Sequence, residues 1–235
     1  MSIIPDVKKL DTKIWSPLAE WIRYLSILEA VRFDGIEADF LAWITGNWTR
    51  TAVELGYGVA TAVLQNIVGG VLLVTNAAAD NDSYQAQWLG EPFKLQTGKF
   101  CYCEAKFMTA DPIQVDLLFG LCITDTTLIA GFSDGVAWKK DDGDALLDFE
   151  AVKNSTPTAQ NEIGVLAANT WTRVGFYFDG YSTLVPYLNG AAYTAKKITT
   201  NIPDDEELTP SFAIMNGEAA AKSLYLDYLM AVQAR

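Results

Sequence analysis

The sequence predicts an all-β protein, an antiparallel two-sheet sandwich, preceded by an N-terminal helical arm. Three observations carry this expectation. From about Asp39 onward, short runs alternate apolar and polar residues and end at Gly, Asp, Asn or Pro, as sandwich strands do. Two dipeptides, Asp179-Gly180 and Asn189-Gly190, are turn pairs, because glycine accepts positive φ without steric cost. Half of the 235 residues are hydrophobic, enough to fill one sizeable core.

The arm comes first and spans residues 1–35, with the sandwich at 36–235. In "SPLAEWIRYLSILEAVRF" the apolar residues Leu18, Trp21, Ile22, Leu25 and Leu28 recur at helical spacing and build one face. Ser16 is placed to cap this helix, Pro17 suits its first turn, and Gly35 is the expected stop. Together with Trp15, that stripe is a candidate interface with a neighbouring subunit, or else it packs on the domain's own core.

The strands follow. "NWTRTAVEL" alternates, and "GGVLLVTNA" is an apolar, β-branched run after a glycine pair. "KFCYCEAKFMT" places Phe100, Tyr102, Glu104 and Lys106 on one face and Cys101, Cys103, Ala105 and Phe107 on the other. "VDLLFGLCITD", "DGVAWKK", "ALLDFEAV" and "EIGVLA" are further strand candidates. From Trp171 to Phe178 the alternation sets Thr172, Val174, Phe176 and Phe178 against Trp171, Arg173, Gly175 and Tyr177. Pro186 lacks an amide hydrogen, so its strand is expected at an edge or a bulge.

Composition excludes several functions. The net charge is −12, and Lys139-Lys140 is cancelled at once by Asp141-Asp142, so no nucleic-acid partner is expected. The apolar stretch from Val59 to Val74 is broken by Gln65, Asn66 and Gly69-Gly70, which argues against a membrane span. "MSIIPDVKKL" has no apolar core after a basic start, so no secretory signal is expected. Cys101, Cys103 and Cys122 form neither a disulfide framework nor a good zinc site, and are expected as buried, reduced thiols. No cofactor is expected. Calcium is the one inorganic option, with acidic loops at Asp80 and Asp82, at Asp141, Asp142 and Asp144, and from Asp204 to Glu207.

Three motifs in order, the run from Trp171 to Gly180, "VPYLNG", and the closing strand "KSLYLDYLMAVQAR", resemble the laminin-G-like, concanavalin-A-like jelly-roll superfamily. "DFLAWITGNW" and "GGVLLVTNAAADND" are similar to its first strands, so the resemblance covers roughly Asp39 to Arg235. A narrower resemblance is to the laminin-G-like structural proteins of tailed bacteriophages, whose jelly roll closes on a strand like Leu224 to Tyr228. That resemblance implies a virion component made in the host cytoplasm, a head decoration or cement protein on the capsid surface. Its implied partners are the major capsid protein and copies of itself, with a trimer as the implied order. A carbohydrate-binding module of a phage surface or fibre is the alternative.

Catalysis is not expected. The chain has no histidine, which removes Ser-His-Asp and Cys-His chemistry. The glycosidase branch of the superfamily carries an E-x-D-x-x-E strand that presents paired carboxylates, and no such run occurs here. Asp148 and Glu150 share a strand face at spacing two and are the nearest candidates. Among the tryptophans, Trp88 and Trp138 are the ones expected at the surface, as contacts for a glycan or a partner.

Overall fold

The computed structural model describes residues 33–39, as backbone, and residues 43–234. Fifteen strands appear among them: β1 (Phe33–Asp39), β2 (Trp48–Val53), β3 (Thr61–Gln65), β4 (Val71–Thr75), β5 (Ser83–Trp88), β6 (Cys101–Thr109), β7 (Val115–Cys122), β8 (Gly135–Lys140), β9 (Leu146–Lys153), β10 (Thr156–Val165), β11 (Thr172–Phe178), β12 (Leu184–Leu188), β13 (Ala191–Ala192), β14 (Thr209–Asn216) and β15 (Ser223–Ala234). They form two antiparallel sheets. The first runs β13-β12-β11-β6-β15-β4-β3, with β1 also on β15; the second runs β10-β9-β8-β7-β14-β5-β2. This is the two-sheet, jelly-roll-like sandwich that the alternation predicts.

β15 organises the first sheet. Its first residues, Ser223 to Leu226, pair with β4, and its later ones, Tyr228 to Ala234, pair with β1. The change of partner falls at a bulge around Asp227, where the register against β6 shifts. Lys106 of β6 meets the Asp227 carboxylate there, with Nζ to Oδ2 2.5 Å.

The expected arm is not supported as a helix up to Gly35. Phe33 opens β1, and Gly35 lies inside that strand opposite Val232 rather than ending a helix. The competing influence is the free edge of β15, which recruits this segment as a strand. Trp15, Leu18, Trp21, Ile22, Leu25 and Leu28 lie outside the described residues. Among the described residues, no helix is long and apolar enough to cross a membrane.

The alternation elsewhere maps onto the core as read. Cys101, Cys103, Ala105 and Phe107 of β6 face inward with Val174, Phe176 and Phe178 of β11, all buried. The Phe107 and Phe119 rings stack between the sheets at 4.2 Å. The Asp179-Gly180 turn is held by one carboxylate oxygen of Asp179, which accepts the amides of Tyr181, Ser182 and Thr183. Pro186 stands next to the short end strand β13. Its carbonyl accepts the Tyr193 amide, so its backbone polar groups point away from β11 and the missing hydrogen costs no ladder bond to β11.

Candidate functional site: the covered face of the second sheet

The second sheet turns a broad face outward. Strand registry places on it Ser83, Gln85 and Gln87 of β5, Ser211, Ala213 and Met215 of β14, and Asp116, Leu118, Gly120 and Cys122 of β7. Ala137 and Lys139 of β8 and Asp148, Glu150 and Val152 of β9 complete the row. The middle of this face is not open. Residues 123–134, between β7 and β8, fold back over it, and Leu128 and Phe132 bury themselves on Leu118, Cys122, Ala137, Val152 and Ala213. A second, smaller core thus lies outside the sheet.

Two glutamines pin this cover. Gln85 donates from Nε2 to the Asp125 carbonyl (2.5 Å) and accepts the Leu128 amide on Oε1 (3.0 Å). Gln87 donates to the Ile123 carbonyl and to Ser211 Oγ, and accepts the Asp125 amide (2.9 Å). Each carboxamide therefore acts as a peptide group would, and satisfies loop backbone that cannot reach a strand. The base of the loop closes through the Ile123 amide on the Asp134 carbonyl at 2.9 Å. Phe132 can lie flat over β8 because Gly135 has no side chain: a Cβ there would stand 2.9 Å from the ring.

A cleft of about 180 Å³ opens beside the cover, lined by Val53, Leu55, Ile129, Ala130, Ala213 and Met215 with a few polar neighbours. Among the described residues no carboxylate, lysine, arginine or cysteine lines it. Asp148 and Glu150 do share the outward face of β9, but neither faces the cleft. Asp148 accepts the Glu162 amide at 2.7 Å, and Glu150 pairs with Lys139 at 3.4 Å. Burial pushes the Glu150 carboxyl up, and Lys139 works against that shift. Both carboxylates are thus engaged in strand and turn contacts.

The tryptophans depart from expectation. Trp138 is 1% exposed. Strand parity sends its ring inward against Phe149, and its indole N–H donates to the Gly175 carbonyl of the other sheet at 2.8 Å. The lysines that follow it, Lys139 and Lys140, still belong to β8, and only from Asp141 is the charged run exposed. Trp88 is half-buried, edge-on to Trp48 at 5.3 Å, and packs on the rim of the core. Trp171 is the more exposed ring, with Lys106 Nζ above it at 5.1 Å.

The acidic loops have structural employment. Asp82 is fully buried and accepts the amides of Leu55 and Ala79. Asp144 accepts the Leu146 amide, and the Asp142 amide bonds to Asp116. Asp204 and Asp205 pair with Lys153, and Glu207 with Lys94. Among the described residues, no three side chains of the metal-ligating types come together to hold an ion. The three cysteines are free and buried, and burial pushes their thiols up, away from the reactive thiolate form.

The first sheet carries its own buried polar cluster on its outward side. Glu104 accepts the hydroxyls of Tyr102 (2.6 Å) and Tyr228 (2.5 Å), and burial together with that carboxylate raises both phenols. Both tyrosines sit in an outward apolar cluster with Met230 and Val232.

The covering loop was not foreseen from the sequence. A signal existed: β7, "VDLLFGLC", is apolar at both parities, which marks a strand buried on both faces. The segment "LIAGF" just after it supplies the apolar cover.

No protein-family model matches the sequence, and no curated protein matches it. Its fold, however, is shared with solved structures. The peanut lectin is 9% identical with a TM-score of 0.55, over 87% of this chain and 98% of that one. An endo-1,3-β-glucanase from Streptomyces sioyaensis is 10% identical with a TM-score of 0.60, over 86% and 96%. A carbohydrate esterase from the Shiga toxin-encoding bacteriophage phi24B is 13% identical with a TM-score of 0.54, over 88% and 100%. At such identities the likeness establishes architecture alone: the chain has the lectin-like, concanavalin-A-like jelly-roll sandwich fold.

Proposed function

We propose that the protein is a non-enzymatic structural component of a tailed-bacteriophage particle, a head decoration or cement subunit that docks on the major capsid protein. The observation that supports a structural role is the covered face. Across the middle of the second sheet's outward face, the chain spends Leu128, Phe132, Gln85 and Gln87 on a packed cover. The molecule then offers surfaces rather than a reaction chamber. Among the described residues the cleft beside the cover has no acid–base pair, and Asp148 and Glu150 are engaged elsewhere. The resemblance of the closing strand, Leu224–Tyr228, to phage structural proteins supplies the setting. The acidic surface suits a subunit that binds protein and avoids packaged DNA.

Particles assembled without the protein test this. They should form, yet break at lower temperature or milder osmotic shock, and added purified protein should restore their resistance and appear as density on the outer shell. Purified protein should leave β-1,3-glucan intact. Equal robustness with and without the protein, or glucan cleavage that disappears in Asp148→Asn or Glu150→Gln, overturns the reading.

A glycan-binding role is the second reading, favoured by the cleft that opens on the same face. Glycan binding abolished by Ile129→Trp, which would fill that cleft, would support it over the first.

A further inference from the structure

We propose that β3 and the β3–β4 turn form a self-association edge, through which two copies pair strand to strand about a two-fold axis. β3 ends the first sheet and bonds only to β4 among the described strands, in a register that runs unbroken from Thr61 against Thr75 to Gln65 against Val71. Among the described residues no strand pairs with its outer edge; the Val63 carbonyl accepts only the nearby Gln65 carboxamide, at 3.5 Å. The side chains around it are apolar and open to water: Val63 is 54% exposed, Ile67 50%, and Val68 and Tyr57 fully.

Sheet edges normally carry a guard against such pairing, a charge, a proline, a bulge or mere shortness. The other ends have one. β13 is two residues long, β10 carries Pro157, Glu162 and a register shift, β2 carries Arg50, and β1 carries Asp34, Glu37 and Asp39. β3, "TAVLQ", has none of these.

Charge identifies the occupant as a second copy. From Leu55 to Ala79 the chain carries no Asp, Glu, Lys or Arg, in a protein of net charge −12. Two copies repel one another over most of their surface, and this neutral edge is where that repulsion is least. A nucleic acid or a strongly charged protein finds nothing here to grip. The strand is also self-complementary. Antiparallel pairing centred on Val63 sets Val63 against its own symmetry mate, Ala62 against Leu64, and Thr61 against Gln65, a closed two-fold contact. A stable interface buries at least about 1,200 Å². A five-residue strand supplies only part of that, so Leu55, Tyr57, Ile67 and Val68 must contribute, and the dimer should be concentration-dependent. The two-fold order replaces the trimer implied by the resemblance, and does not depend on the capsid reading.

Sedimentation velocity of the full chain over a concentration series tests this. The native protein should pass from monomer to dimer, and Val63→Lys should weaken dimerisation by roughly tenfold or more, because two like charges then face each other across the axis. Val165→Lys, at an exposed site on the far β10 edge, should leave the dimer unchanged. Circular dichroism would verify that both variants fold. As a second readout, Val63→Cys should form an intermolecular disulfide on mild oxidation, while the three native cysteines are buried and silent. A species that stays monomeric at the highest concentration, a trimeric mass, a dimer indifferent to Val63→Lys, or a Val63→Cys chain that does not cross-link would each overturn the proposal.

Discussion

Replacing Leu128 by Ala should destabilise the whole protein, because the loop that covers the second sheet is part of its packed structure. Leu128 is fully buried, in contact with a cluster formed by Leu118, Cys122, Phe132, Ala137, Val152 and Ala213. The substitution removes three buried methyl or methylene groups, at about 0.8 kcal/mol each. The loop lies at the surface and can settle into part of the space, so the cavity contribution is small and the loss falls near the low end for such changes, about 2–3 kcal/mol. With a urea dependence of about 2–3 kcal/mol per M, the unfolding midpoint should drop by about 1 M. Equilibrium urea unfolding followed by tryptophan fluorescence reads this directly, since Trp43, Trp48, Trp88 and Trp138 pack in or against the core. A limited digestion with chymotrypsin supplies the second observable. If the midpoint moved by less than about 0.2 M while cleavage between residues 123 and 134 rose sharply, the loop would be an independently opening lid. The account of a sealed face would then fail.

Three further outcomes follow from the geometry. Trp138→Phe should lose the bond between the sheets, lowering stability by about 1 kcal/mol in the same urea assay. Gly120→Ala should be among the most damaging single changes, at least about 3 kcal/mol or failure to fold, because the new Cβ would lie 2.1 Å from the Val136 carbonyl oxygen; expression yield and melting temperature check it. The third concerns pH. Burial pushes the Asp111 carboxyl up, but the Lys222 ammonium and the amides of Gln114 and Ile113 outweigh it and hold the group at about 2. Its folded value lies below its unfolded one, so its contribution is complete above about pH 4 and fades as the pH falls toward 2. For a partly exposed pair that contribution is on the order of 1 kcal/mol. Asp111→Asn should show a shallower loss of stability between pH 4 and 2 than the native chain, and parallel curves would disprove the assignment.

The sandwich was legible because strand alternation is local. Which way Val174, Phe176 and Phe178 point is set by the pleat and by the apolar pattern of their own segment, and the Asp179-Gly180 and Asn189-Gly190 turns need only their own backbone conformations. The same local reading ordered the faces of β6 and foresaw the buried thiols. What it did not settle depends on partners distant in the chain. Trp138 looked exposed beside lysines and aspartates, yet parity within β8 buries it against the opposite sheet. Gly35 looked like a helix stop, yet the free edge of β15, about two hundred residues later, takes its segment as a strand. The open face of the second sheet was closed by a loop whose hold rests on Gln85 and Gln87, two polar residues whose value appears only once Ile123, Asp125 and Leu128 stand opposite them. Whether an apolar strand becomes the middle of a sheet or its bare edge, as β4 and β3 do from similar residues, is decided by strand order. Strand order is a property of the whole chain, since each hydrogen-bonding edge is satisfied or left open by segments that the local sequence does not contain.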